Sequence, residues 1–379
     1  MGIVLDFLKT EGKKTFKELG FGPVDALILS QLTYLNYDAA FTSFDGESQP
    51  LPLLAITPFA KSGLLFKDIR STKECERLYF LFLKSRRYMG TQLSYFVNDI
   101  DQEAEKQFSA VVFGLSDGTD FVAFRGTDNT IVGWKEDFNM TFMYPIPAQT
   151  ESVKYLNKVA VSSKRPLRVG GHSKGGNLAV YSSAKCDPKV KERIIEIFNL
   201  DGPGFRQEFF DNPDFIEIKN RVKKFIPCSS IVGMLMLNQG NYIVVDSNKN
   251  GFMQHDLFNW QVENGDFIYK ETVRNSSILL DRTVSDWLSS LDDTKRKIFF
   301  DTLYSLIKQT NVKTLFEFND QKRKNARIIL HAAKAIDPQT RKFVINAFAS
   351  FLLFAPKEYK NIKLLNIKKS KNQANKDKA

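Results

Sequence analysis

The stretch Leu167 to Val180 reads Leu-Arg-Val-Gly-Gly-His-Ser-Lys-Gly-Gly-Asn-Leu-Ala-Val, an apolar run that breaks at glycines and resumes as a small-residue helix. Within it, Gly171-His172-Ser173-Lys174-Gly175 matches G-x-S-x-G, the pattern of a serine held on a sharp strand-to-helix turn. Such a turn forces a strained backbone on the serine, and side chains two residues to either side would collide; Gly171 and Gly175 remove both clashes. The amide of Lys174 then sits at the positive end of a helix, where it can face a developing oxyanion. This one turn demands a strand before it, a helix after it and a sheet edge where a ligand can approach.

The surrounding periodicity supplies that frame. Up to about Gly90 the pattern is mainly helical, with Asp25 to Asn36 spaced as a helix behind Pro23; Tyr79 to Lys84 has no clear period and fits helix or strand. From Phe108 the period changes. Phe108–Leu115 and Asp120–Arg125 are β-branched or aromatic runs around Ser116-Asp117-Gly118-Thr119, a hairpin signal. Helical stretches follow at Ile131–Met140 and Glu151–Ser163, and strands at Leu167–Gly170, Ile194–Leu200, Val222–Pro227 and Asn241–Asp246. Strands alternating with helices imply a largely parallel sheet covered on both faces. Beyond Ser276 the pattern is helical, with starts expected at Thr283 and Asp292.

A serine hydroxyl needs a base, and the base needs an orienting acceptor. The chain has three histidines, which narrows the choice. His172 adjoins Ser173 and should point away from it, into the sheet. His331 lies mid-helix. His255, in a loop after the strand that ends near Val245, is the expected base. For the acid, Asp201 follows the strand after the elbow helix and lies at the carboxyl edge of the sheet, where ligands gather; the alternative is a cap of the turn Asp201-Gly-Pro-Gly204. Asp246 is the reserve, and Asp256 is too close to His255 to reach round. The order Ser173, Asp201, His255 is that of α/β-hydrolases. A second oxyanion donor is expected from Arg125-Gly126-Thr127, where Gly126 permits close approach and Thr127 offers an amide; the alternative is a plain loop in which Asp128 or Thr130 caps a helix.

Taken in order, Val122-Ala-Phe-Arg-Gly-Thr127, Trp134, Asp137 and Gly171-His-Ser-Lys-Gly-Gly-Asn-Leu-Ala179 resemble the blocks of class 3, fungal-type lipases. Asn199-Leu-Asp-Gly-Pro-Gly-Phe205, Ile226-Pro-Cys-Ser-Ser-Ile-Val-Gly-Met-Leu235 and Gln254-His-Asp-Leu-Phe-Asn-Trp260 resemble more closely still a bacterial, Mbeg-like offshoot. The resemblance spans about Phe108 to Val262. It implies an α/β-hydrolase fold with Ser173 as nucleophile, His255 as base, and Thr127 and Lys174 as oxyanion donors. Two departures stand out. The lipases place their acid just ahead of an Ile/Val-Pro motif, whereas Ile226-Pro-Cys-Ser-Ser230 has no carboxylate, so Asp201 would replace it from one strand earlier. The residue after the nucleophile is Lys174 where leucine is common, and its ammonium is expected either to favour anionic substrates or to lie in solvent.

These readings give an α/β-hydrolase domain over residues 1–276, a helical appendage over 277–356 and a basic tail over 357–379. The expected activity is cleavage of a carboxylic ester or thioester, lipid-like, with no cofactor and no metal. The alternative is a non-catalytic interaction or membrane-surface protein on the same scaffold. A 43% hydrophobic composition supports a large core and argues against disorder. Three scattered cysteines fit neither a disulfide framework nor a metal site, and with no leader pattern they point to the cytoplasm. Net charge is +11, and the tail from Lys357 holds eight lysines against Glu358 and Asp377. That tail reads as a solvated end that can touch an anionic membrane surface, and no specific nucleic-acid binding is expected. The oligomeric state is open.

Overall fold

The computed structural model describes residues 2–43, 50–128, 130–238 and 242–351. The basic tail from Lys357 lies outside the described residues, as does the end of the 277–356 region. Nine strands form one sheet, and their order in space is their order in sequence. They are β1 (Leu51–Pro52), β2 (Gln92–Asp101), β3 (Lys106–Gly114), β4 (Asp120–Phe124), β5 (Leu167–His172), β6 (Ile194–Leu200), β7 (Val222–Pro227), β8 (Ile243–Val245) and β9 (Tyr269–Lys270). Strands β4 to β8 run parallel, and antiparallel strands flank them on both sides. The Ser116–Thr119 turn joins β3 to β4 as an antiparallel hairpin.

Strand alternation divides the core in two. On β3, Phe108, Ala110 and Val112 enter one cluster while Val111 and Phe113 enter the other; on β4, Val122 and Phe124 separate from Phe121 and Ala123 in the same way. Successive side chains on a strand point to opposite faces, so each face needs its own cover. Parallel strands taken in sequence with right-handed crossovers put their connecting helices on a single face. That face holds α4 (Pro147–Ser162) and α5 (Lys174–Lys185), through Tyr155, Leu156, Val159, Leu178, Ala179 and Val180. The other face is covered by the N-terminal segment, chiefly α1 (Pro23–Leu32) and α2 (Thr72–Lys84). The architecture is that of an α/β-hydrolase.

Two local expectations change. The ambiguous Tyr79 segment is helical, because Cys75, Leu78, Tyr79 and Phe82 bury one stripe at 3.6-residue spacing. The ten-residue strand β2 escaped the pattern because a bulge between Ser94 and Val97, with Tyr95 at φ +54°, breaks its alternation.

Beyond the sheet, α6 (Asn275–Ser289) and α7 (Asp293–Lys308) lead to α8 (Leu315–Asp320), α9 (Lys322–Ala335) and a helix over 338–351. Helix α6 starts two turns before Thr283, whose hydroxyl bonds back to the Leu279 carbonyl at 2.8 Å instead of capping. Asp292 caps α7 as expected, accepting from the Lys295 amide at 2.8 Å. No helix among the described residues is long and apolar enough to cross a membrane.

The N-terminal cover is pinned by a charge pair out of water. Arg87 and Asp25 are 0% and 1% exposed, with Nε to Oδ1 at 2.6 Å and Nη2 to Oδ2 at 2.7 Å. Arg87 also donates to the carbonyls of Leu19 and Gly20, both at 2.7 Å, and lies 4.2 Å from the Phe16 ring centre; Tyr88 donates to the same carboxylate. Removing one partner would strand the other in apolar surroundings. Asp25→Ala should therefore lower unfolding stability by about 3–5 kcal/mol, read as a shifted denaturation midpoint at unchanged slope.

Candidate functional site

At the end of β5 the chain turns through Ser173 at φ +58° and ψ −134° and enters α5 at Lys174. A Cβ at Gly171 would lie 2.5 Å from the Gly175 backbone, and one at Gly175 would overlap the Phe124 carbonyl on β4. Both glycines are thus demanded by close approach, as the sequence spacing requires. The Lys174 amide opens the helix and has no carbonyl four residues back to bond.

Asp201 leaves β6 one strand over, itself at φ +52° and fully buried. Its Oδ2 accepts from His255 Nδ1 at 2.6 Å. Its Oδ1 accepts from the Ser230 hydroxyl at 2.5 Å and from the Gly233 amide at 3.2 Å. Because a carboxylate only accepts, the shared proton lies on Nδ1. Ser173, His255, Thr127 and Lys174 line one cavity of about 950 Å³. The sequence-expected residues are thus brought together, and the cap reading of Asp201 is displaced by its bond to the imidazole. Asp246 is elsewhere, paired with Lys270 at 3.0 Å. Asp256 accepts from Ser71 and from the Phe258 amide, each at 3.0 Å.

His172 holds the base from behind. Its Nε2 meets the His255 carbonyl at 2.8 Å and its Nδ1 meets the Tyr34 hydroxyl at 3.0 Å. A carbonyl can only accept, so Nε2 bears the proton and Tyr34 donates to Nδ1. Burial holds the His172 pKa well below the usual range, with the nearby His255 adding to that shift, and the ring stays neutral. Burial likewise pushes the Tyr34 phenol up, so it remains a donor.

The expectation for Lys174 is corrected. Its ammonium neither faces a substrate nor reaches solvent. It is 1% exposed and bonds Glu136 at 2.6 Å, with the Gln107 carbonyl and side-chain oxygen at 2.8 and 2.9 Å. Glu136 accepts in turn from the amides of Gln107 and Ala148, at 3.1 and 2.8 Å. This buried pair ties the elbow helix to β3, to α3 (Ile131–Asn139) and to the start of α4.

The loop after β4 holds the expected cap, Thr130 capping α3 through the Gly133 amide at 3.2 Å, and places Thr127 at the cavity. The Thr127 hydroxyl donates to Asp137 at 2.7 and 2.8 Å. Ahead of Ile226-Pro227, where the lipase resemblance calls for an acid, β7 carries Lys223 and Lys224. Burial lowers the Lys224 pKa to about 7 against the opposing pull of Asp201 and Asp281. Ser230, past the same motif, was not singled out by sequence; it is recognisable only once its hydroxyl is seen on Asp201. Among the described residues no three His, Cys, Asp or Glu side chains gather as metal ligands.

The model of the Mbeg1-like family matches residues 82–305, more than half of the chain. The chain belongs to the Mbeg1-like family. No curated protein sequence matches it. Among solved structures it is similar to a Rhizomucor miehei lipase in its propeptide complex, at 13% identity over 59% of this chain and 67% of that one, with a TM-score of 0.34. A mutant form of MDLA from Penicillium cyclopium gives 13% identity, 66% and 86% coverage and 0.36. A Yarrowia lipolytica lipase gives 12%, 56% and 86%, and 0.29.

Burial raises the Asp137 carboxyl from the usual 3.8 to about 6, against the pull of Lys174 and the Thr127 hydroxyl. The folded chain therefore holds this proton more tightly than the unfolded chain, so stability is lost as pH rises from about 4 to about 6. In Asp137→Asn that loss disappears. Urea unfolding at pH 4 and 7.5 should find the variant gaining about 1–3 kcal/mol on wild type across the interval; a constant difference would contradict it.

Proposed function

We propose that this Mbeg1-like protein is a serine hydrolase that cleaves a carboxylic ester or thioester. The observation that carries the reading is the His255–Asp201 bond of 2.6 Å, made by an imidazole that shares one cavity with the elbow serine. Ser173 Oγ attacks the substrate carbonyl while its proton passes to His255 Nε2. The tetrahedral oxyanion is held by the amides of Thr127 and Lys174, each such donor being worth about 3 kcal/mol in related chemistry. His255 then delivers the proton to the departing alcohol or thiol, leaving an acyl group on Ser173. Water, deprotonated by the same imidazole, releases the acid and restores the serine. Asp201 fixes the tautomer and sees the imidazolium through each half of the cycle.

Supporting this reading, both oxygens of Asp201 are already engaged, so the imidazole cannot turn without breaking a buried bond. The three cysteines are free and buried thiols, in keeping with a reducing compartment such as the cytoplasm.

Turnover of p-nitrophenyl butyrate by the purified full chain is the test. Ser173→Ala should abolish it, and Asp201→Asn should lower kcat by about 10⁴-fold with the fold intact. Asp246→Asn should stay within about twofold of wild type, since Asp246 is engaged with Lys270 and the Ser247 amide rather than with His255. An inactive Asp246→Asn beside an active Asp201→Asn would overturn the assignment of the acid, and well-folded wild type without turnover would favour a non-catalytic scaffold.

A further inference from the structure

The cavity does not end at the serine. From Ser173 it continues beneath the C-terminal helices, and α6 and α7 supply Val284, Trp287, Leu288 and Phe300 to its wall. Leu235 and Met236, from the loop that follows β7, line it as well. The residues around the reacting atoms are polar, whereas the wall that α6 and α7 supply is mainly apolar, with Ser285, Ser289 and Arg296 among its polar members. Water gains little in such a space, and an alkyl chain gains in proportion to the surface it buries.

The helices above the cavity are attached to the hydrolase core along most of their length. Arg296 donates to the Thr141 carbonyl at 2.9 Å, Arg206 to Asp293 at 3.0 Å, and Lys135 meets Asp301 at 2.8 Å. Lys135 is buried, and so this last bond is shielded from salt better than a surface pair. The rings of Phe138 and Phe300 stack at 4.7 Å and 10°. At either end the Arg274 amide bonds the Cys228 carbonyl at 2.7 Å, and the Ile131 amide bonds the Lys313 carbonyl at 2.9 Å. Trp287 is locked from above by its indole bond to the Ala347 carbonyl at 2.9 Å and by Phe299 and Phe351. Swinging α6 and α7 aside would break all of these contacts together. Away from these contacts, Leu237, Phe252 and Met253 line the cavity and are 48%, 52% and 60% exposed, so the cavity meets solvent there without any movement of α6 or α7.

We propose that α6 and α7 form a fixed roof over the acyl half of the site, so that the enzyme takes single, dispersed acyl esters or thioesters of medium to long chain and needs no lipid surface to open it. The inference rests on the hydrolase reading above. It assigns chain-length selection to α6, with Val284 the position best suited to test it: this side chain lines the cavity but stands outside the Trp287 cluster that holds the roof together.

The experiment is a kcat/KM series on p-nitrophenyl acetate, butyrate, octanoate and decanoate, each below its solubility limit, with and without phosphatidylcholine vesicles. Wild type should favour octanoate and decanoate over acetate by at least about tenfold, with no jump in rate on adding vesicles. Val284→Trp, which fills the distal half, should cut the decanoate-to-acetate ratio at least about tenfold while its melting temperature stays within a few degrees of wild type. Leu330→Ser, on the exposed face of α9, should leave the ratio as it was. A rate that rises tenfold or more with vesicles would overturn the fixed roof. An unchanged ratio in a folded Val284→Trp would overturn the acyl assignment while leaving the hydrolase reading standing. No turnover of any ester by wild type would remove the hydrolase reading itself, and this inference with it.

Discussion

The backbone of Ser173 is the constraint on which the rest is built. A non-glycine residue at φ +58° is strained by about 1–3 kcal/mol and persists only where its surroundings over-determine it. Here the surroundings do so on three sides. Strand β5 is central and paired on both edges, α5 packs back across β5 and β6, and the Ser173 amide bonds the Leu200 carbonyl of β6 at 2.9 Å. Gly175 presses so closely on Phe124 that any side chain there would push the helix off the sheet. The hydroxyl is thereby raised above the carboxyl edge of the sheet, where the loops after β4, β6, β7 and β8 converge.

Around that turn, buried polar groups are joined into sets. Lys174 and Glu136 satisfy one another and the β3 backbone, Asp201 is shared between His255 and Ser230, and His172 joins Tyr34 to the His255 carbonyl. Each set links two elements distant in sequence, so each acts as a tether whose loss would leave a polar group unpaired in a low-dielectric interior. The N-terminal segment belongs to this scheme. It covers the face that sequential crossovers leave bare, and it sends Tyr34 to the site.

Much of this was legible in the chain. The elbow could be read because sterics permit so few sequences there, and β4, β6 and β7 because their apolar runs end at turn residues. Asp201 and His255 were accessible through scarcity and order: three histidines, two of them badly placed, and an aspartate at the end of the strand after the elbow helix, with Asp246 in reserve. Strand β2 was hidden by its bulge. The burial of Lys174 was hidden because its partners, Gln107 and Glu136, lie 67 and 38 residues away, and no local pattern records a pairing of that range. The helices beyond Ser276 were recognisable as helices, yet their position over the cavity depends on contacts such as Phe138 with Phe300 that only folding creates.

The central claim is that one serine hydroxyl is activated by the folded structure around it. Treating native protein with a fluorophosphonate and mapping the modified peptide tests this most directly. A single adduct on Ser173, absent from urea-unfolded protein and from Ser173→Ala, is the outcome the geometry requires. No adduct on the native chain, or one on a different residue, would contradict it.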